Sequence, residues 1–252
     1  MHAARRWYAR FLPTEGRLLD LGCGRGEFLD IGHAAGLRVE GVDGDAAMLA
    51  HVQTHVVHQQ DVLDFLQSTP DSYESISALH LVEHLEVDRT ATLIRLAASQ
   101  LASGGVLVLA TPNPGSLPTI THEFWRDPTH TRPYDVELLA FLCRQAGLDV
   151  TDAGTNPESE RGLPVELDDL RLRPPAPPDE RERGSRPGAP ARWIGGQVAG
   201  STYGRDLEDA IHRLRIEHEH TRDELERIAG LLGRFLDVAY QPSEIYVVAR
   251  KG

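Results

Sequence analysis

The sequence predicts an α/β domain: a doubly wound, mostly parallel seven-stranded sheet with a helical, proline-rich insertion before the last strand. Three observations carry this reading. Short apolar runs alternate with amphipathic stretches through the first 150 residues, which is the rhythm of strand–helix–strand units. Eight of the sixteen prolines then fall between Pro157 and Pro190, too dense for one helix or an inner strand. Finally, Glu244–Arg250 reads Glu-Ile-Tyr-Val-Val-Ala-Arg, a strand whose only available sheet lies in the first part.

The elements follow in order. Arg17–Gly22 is a buried strand closed by glycine, and Arg25–Ala35 has helical spacing. Arg38–Asp43 is the second strand and Ala46–Gln53 the second helix. His55–His58 is the third strand, with a short helix at Val62–Gln67. Ser75–His80 is the fourth strand, followed by a helix over Arg89–Leu101 that stops at Ser103-Gly-Gly105. Val106–Ala110 is the fifth strand, Val136–Gln145 a helix stopped by Gly147, and Leu148–Asp152 a sixth strand. In such a sheet ligands bind at the carboxyl ends of the strands.

Composition narrows the function. The 252 residues carry a net charge of −12, which argues against a nucleic-acid partner, since phosphate binding needs clustered positive charge. Two cysteines, Cys23 and Cys143, exclude a disulfide framework and favour a reducing compartment. No apolar run reaches the length of a membrane span, and residues 1–8 carry no apolar leader core. The expected location is the cytoplasm.

The sharpest motif is Asp20-Leu-Gly22-Cys23-Gly24-Arg-Gly26, where the first strand gives way to a helix. Glycines there let a ligand approach the backbone and expose amide donors at a helix start. The spacing is not the G-x-G-x-x-G of a dinucleotide-binding dehydrogenase. Asp20 would also repel a pyrophosphate, whereas it would attract an ammonium group. A nicotinamide oxidoreductase is therefore discounted. Asp43-Gly44 ends the second strand, 21 residues after Gly22; Asp61-Val62 follows the third; His80-Leu-Val-Glu83-His84 closes the fourth. The glycines also suit tight strand–helix packing, and Asp43 and Asp61 also suit helix capping.

With these four features in register on successive strand ends, the chain resembles the class I S-adenosylmethionine-dependent methyltransferases, over about residues 16–152 plus the final strand. The resemblance implies a Rossmann-like fold, S-adenosylmethionine as methyl donor and S-adenosylhomocysteine as product. It implies that Asp20, Gly22, Cys23, Gly24 and Gly26 line the cofactor, and that Asp43 beside Gly44 grips the ribose hydroxyls. It further implies that Asp61 takes the adenine amino group with Val62 on the ring, and that His80 lies near the methionine end.

The segment after the fifth strand contains Thr111-Pro-Asn113-Pro and then Phe124-Trp125-Arg126-Asp127-Pro-Thr-His130-Thr-Arg132-Pro-Tyr134. The second block is similar to bacterial sugar and glycan O-methyltransferases, of the kind that act on mycobacterial methylmannose polysaccharides. It implies a sugar or short-oligosaccharide acceptor, a mannoside first. A sugar hydroxyl is a poor nucleophile near pH 7, so a base or a metal must deal with its proton. Candidate groups are Glu83, His84, Asp127 and His130, with His84 or His130 as base and Glu83 or Asp127 orienting it. Asn113, Trp125, Arg126, Arg132 and Tyr134 are the candidate acceptor contacts, the two aromatics as flat faces and the arginines as donors. Glu83 and Asp127 with substrate oxygens would also suit Mg²⁺, although no strict ligand spacing is present.

Three segments result: 1–154 with 241–252 as the cofactor-binding domain, 155–204 as a Pro/Arg-rich flap, and 205–240 as a long helix. Leu207, Ile211, Leu214, Leu225, Ile228, Leu232, Phe235 and Ala239 form a seam on that helix, interrupted by His218 and Thr221. At ~52 Å it outreaches one face of the domain, which points to a homodimer; the alternative is a helix folded back as a lid. The rival functions are a non-sugar acceptor such as a quinone, a lipid precursor or a secondary metabolite, and a non-catalytic cofactor-binding scaffold.

Overall fold

A computed structural model of the chain describes residues 2–69, 72–160 and 202–252. Seven strands form one sheet in the order β3-β2-β1-β4-β5-β7-β6. They are β1 (Arg17–Leu21), β2 (Arg38–Asp43), β3 (Val56–Gln59), β4 (Tyr73–Leu79), β5 (Leu101–Pro112), β6 (Leu148–Thr155) and β7 (Glu244–Lys251). All neighbours pair in parallel except β7, which runs antiparallel to both β5 and β6. The final strand does return to the sheet of the first part, as the sequence predicts.

Both faces of the sheet are covered, so successive strand residues are buried on alternate sides. Leu19, Leu21, Ile76, Leu107, Leu109 and Val247 point to one side. There they meet Val62–Leu66 of α4 (Val62–Ser68), Leu93, Ile94 and Ala97 of α5 (Val87–Gln100), and Leu139 and Cys143 of α6 (Val136–Gln145). Leu18, Val106, Val108 and Val248 point to the other side, against Phe28 of α2 (Glu27–Ala34) and Tyr8, which follows α1 (His2–Trp7). Three of the helices are capped by an aspartate side chain at their start. Asp45 accepts from Ala47 N at the start of α3 (Ala46–Leu49), Asp61 from Leu63 N and Asp64 N, and Asp135 from Glu137 N.

Several boundaries differ from expectation. The helix expected from Arg25 begins at Glu27, because Gly26 takes a left-handed conformation (φ 83°) that ends the loop. The one expected over Ala46–Gln53 lasts only to Leu49. The fifth strand starts at Leu101, which pairs with Tyr73 across a bulge. β6 runs to Thr155, and the turn beyond it is fixed: Ser243 N donates to Glu160 O, and Asn156 Nδ2 donates to Ala4 O. Residues 155–160 thus belong to the packed domain and not to the expected flap. The rest of that flap, 161–201, lies outside the described residues, as does any account of its order.

By internal contacts the chain divides into Met1–Gly162 with Val238–Gly252, and Leu163–Asp237. The second unit contains most of α7 (Thr202–Ala239), one continuous helix. Its seam residues Ile211, Leu214, Leu225, Ile228 and Phe235 are all exposed. Among the described residues no helix is long and apolar enough to cross a membrane.

Candidate active site

The loop between β1 and α2 turns on three left-handed glycines, Gly22 (φ 71°), Gly24 (54°) and Gly26 (83°). Gly22 N and Cys23 N both donate to Val42 O, which ties the loop to β2. A Cβ at Gly22 would meet Leu81 at 3.0 Å, whereas one at Gly24 would meet nothing within 4 Å. The loop is therefore packed on one side and open where a ligand would approach. Asp43, at the end of β2, accepts from Gly24 N and Asp45 N, each at 2.8 Å. Next to it Gly44 also borders open space. Asp45, and not Asp43, is the cap of α3.

Asp20 is buried and accepts from Ser77 Oγ at 2.6 Å. Burial pushes its carboxyl up to about 7, although the Ser77 hydrogen bond opposes the shift. Cys23 is buried with its thiol against Leu29 and Leu49, and burial pushes it up to about 12. Only its backbone is available to a ligand. Asp61 spends one oxygen on the α4 cap and the other on Arg89 at 2.6 Å, and Val62 is buried in the core. An adenine contact there would have to share Asp61 with Arg89.

The second region is a cleft of about 400 Å³ at the ends of β4 and β5 and the start of β7, a size suited to a small ligand. It gathers His80, Glu83, His84, Asp127 and His130, five of the residues singled out by sequence. They come together because the 127–132 turn folds under β4: Thr131 N donates to Glu83 O at 2.8 Å. Among the described lining residues only Ala4, Pro112 and Phe124 are apolar.

His80 has a left-handed backbone (φ 58°), a strained state for a residue with a Cβ. Its Nδ1 donates to Glu83 Oε1 at 3.1 Å and its Nε2 to Glu244 Oε1 at 2.8 Å. Carboxylates only accept, so both ring nitrogens carry protons and the ring is an imidazolium. Burial opposes that charge, but the two carboxylates outweigh it and raise His80 to about 10. Burial likewise works against the charges of Glu83 and Glu244, yet His80 holds both below the usual carboxylate range. Glu244 also accepts from Tyr8 Oη and Asn156 Nδ2, and Glu83 from Thr111 Oγ1. His80 is thus committed as a cation, and Glu83 serves His80 and Thr111 where it was expected to orient His84.

The histidines are oriented by other groups. Thr129 Oγ1 donates its one hydrogen to Asp127 Oδ1 at 2.6 Å, so it accepts from His84 Nδ1 at 2.9 Å. His130 Nδ1 donates to Phe124 O at 2.6 Å. Both imidazoles therefore present an unprotonated Nε2 when neutral. Their rings lie 4.7 Å apart.

The expected acceptor contacts do not reach this cleft. Tyr134 is fully buried, its hydroxyl bonded to Thr90 and Leu85 O, so it offers no flat face. Arg132 lies over its ring at 4.9 Å. Asn113 is spent on a turn, donating to Pro242 O and accepting from Gly115 N. Trp125 and Arg126 are exposed and do not line the cleft. Sequence reasoning missed Glu244, Tyr8 and Asn156. One signal was available for Glu244: an acid opening an apolar strand, which antiparallel pairing brings to Pro112 at the functional edge.

The profile of the family described as "Methyltransferase domain" matches residues 1–153. A "Ubiquinone biosynthesis O-methyltransferase" of Paracidovorax citrulli is 26% identical over 170 residues, covering 57% of this chain and 68% of that one. One of the same name from Xanthomonas axonopodis pv. citri is 30% identical over 163 residues, covering 57% and 67%. Across such curated relatives the chain spans between 41% and 70% of their length. The crystal structure of a SAM-dependent methyltransferase from Archaeoglobus fulgidus has a similar fold, with a TM-score of 0.70 at 23% identity over 99% of this chain and 92% of that one.

Proposed function

This chain belongs to the methyltransferase-domain family and is an S-adenosylmethionine-dependent methyltransferase, and from that premise we propose that it methylates a hydroxyl of a sugar or short oligosaccharide. The cofactor supplies a methyl group on a sulfonium, to be displaced in line by the acceptor oxygen. Gly22–Gly26 and Asp43 would hold it, Asp20 facing its cationic end. The observation that supports a polyol is that most residues lining the cleft carry polar or charged side chains. Such side chains offer hydrogen bonds to the many hydroxyls of a sugar. His84 or His130 would activate the hydroxyl, with Asp127 orienting His84 through Thr129. The seam on α7 is where a second copy would pair; a monomer in sedimentation equilibrium removes that part.

The names of the relatives support a second reading, a phenolic hydroxyl of a quinone precursor. Transfer of labelled methyl to a panel separates the two. Short mannose and glucose oligosaccharides, free and partly O-methylated, stand beside phenolic and quinone-like acceptors. Label on the sugars is expected. Label only on the aromatics would replace the polyol with the phenol. No label on any acceptor, with S-adenosylhomocysteine still bound, would favour the scaffold reading.

Asp20 gives the cofactor site a pH dependence. Its pKa in the folded chain, about 7, lies above the ordinary value of 3.8. Between those values the native state holds a proton that the unfolded chain has lost, so this group's contribution to stability falls as pH rises towards 7. A cationic ligand favours the ionised form. Affinity for S-adenosylmethionine should therefore rise with pH below 7, by up to about tenfold per unit, with proton release on binding. Calorimetry at pH 6 and 8 measures this, and Asp20→Asn should flatten the dependence. A flat profile in the unaltered chain would take Asp20 out of contact with the ligand's charge.

A further inference from the structure

Resting on the reading above and deepening it, we propose that Glu83, His84 and His130 bind a divalent cation of the zinc and late first-row type, which activates the acceptor hydroxyl. The ligand atoms of these three residues lie within 4.8 Å of one another. Two come from the turn after β4 and one from the 127–130 turn, and the Thr131–Glu83 backbone bond fixes these segments together.

The surroundings of the histidines favour an ion over chance proximity. A metal-binding imidazole usually donates its other N–H to a carbonyl or a carboxylate-linked acceptor, which fixes the tautomer and aims the ligand nitrogen. Both rings meet this condition. His130 Nδ1 donates to the Phe124 carbonyl, and His84 Nδ1 donates to Thr129, which is itself anchored on Asp127. Each ring keeps one lone pair on Nε2 when neutral, and both residues line the cleft with the buried Glu83. The charge balance agrees. Six carboxylates line the cleft against two cations, the His80 imidazolium and Arg5, which is itself paired with Glu27.

The donor set decides which ion. Two nitrogens and one oxygen suit Zn²⁺, Co²⁺ or Fe²⁺, whereas Mg²⁺ prefers oxygen and water. The Mg²⁺ site of two carboxylates expected from the sequence gives way to this set, since Asp127 is not among the converging ligand atoms, and an ion at Glu83 would share its carboxylate with His80 and Thr111. Three protein ligands leave positions open towards the cleft for an acceptor oxygen. An ion there lowers the pKa of the hydroxyl, whose proton passes to water; the imidazoles then act as ligands and not as the base.

Titration of the full chain with Co²⁺, without cofactor or acceptor, tests this. One equivalent should bind, with the visible absorption of a nitrogen-ligated site, and Zn²⁺ should displace it. His84→Ala and His130→Ala should each weaken binding by about a hundredfold or more, and Thr129→Val by about tenfold through the lost orienting bond. His55→Ala, in a pair with Asp30 outside the cleft, should change nothing. Unaltered binding of S-adenosylhomocysteine shows that each variant is folded. No absorption change in the unaltered chain, or an unchanged one in both histidine variants, overturns the proposal. Because no methyl transfer is measured, a failed acceptor panel would remove the functional reading and leave this result standing.

Discussion

Asp43→Ala is expected to weaken S-adenosylhomocysteine binding by about a hundredfold or more. The carboxylate holds Gly24 N with one oxygen and Asp45 N with the other, so a single side chain sets the spacing of the two loops that would enclose the ligand. Hydrogen bonds to a charged group contribute about 1.5–3 kcal/mol each. Losing both, together with the acceptor for the ribose hydroxyls, costs about 3 kcal/mol or more in binding, and ~1.4 kcal/mol is a factor of ten. The glycines would keep their left-handed states but lose their anchor. Asp43→Asn retains one acceptor oxygen and should fall between the two. Equal affinities for the unaltered chain and Asp43→Ala in calorimetry would place the ribose elsewhere.

The parts of this site that sequence reveals are those written in one short stretch. The glycine loop is legible because only glycine tolerates three left-handed states in five residues. The return of Glu244–Arg250 to the sheet is legible because an apolar strand cannot stay unpaired. The chemistry of the cleft is legible as residue types: His80, Glu83, His84, Asp127 and His130 do converge.

The partners of those residues are not legible. His80 reads only as a group near the methionine end of the cofactor until β7 brings Glu244 against it from 164 residues away. That contact, with Tyr8 and Asn156 behind Glu244, exists only through the antiparallel strand. Tyr134 departs from expectation for a different reason. Tyr134 follows polar residues that suggest a surface, yet its ring is sealed under α5 by the Thr90 bond. Period and composition do not say which side of an irregular segment faces inward, and residues 113–135 contain no regular strand and only short turns of helix to set a period.

The largest effect on turnover should come from the histidine pair. His84→Ala and His130→Ala should leave S-adenosylhomocysteine affinity unchanged, while at least one lowers kcat by about 10²- to 10⁴-fold, the range associated with a positioned proton-transfer group. The cofactor loop lies at the ends of β1 and β2 and the pair beyond β4 and β5, so binding and chemistry separate in space. Neither ring has a structural burden comparable to that of Glu83, which is fully buried between His80 and Thr111. Loss of turnover in a Glu83 variant would therefore mix folding with chemistry, while the histidine variants isolate the chemistry. A base and a bound ion both require the unprotonated Nε2, so both predict this loss. They part on rescue: added imidazole can restore a proton acceptor, whereas an ion site missing a ligand responds to added Zn²⁺ or Co²⁺. Normal turnover in both alanine variants would move the activation of the hydroxyl away from this cleft.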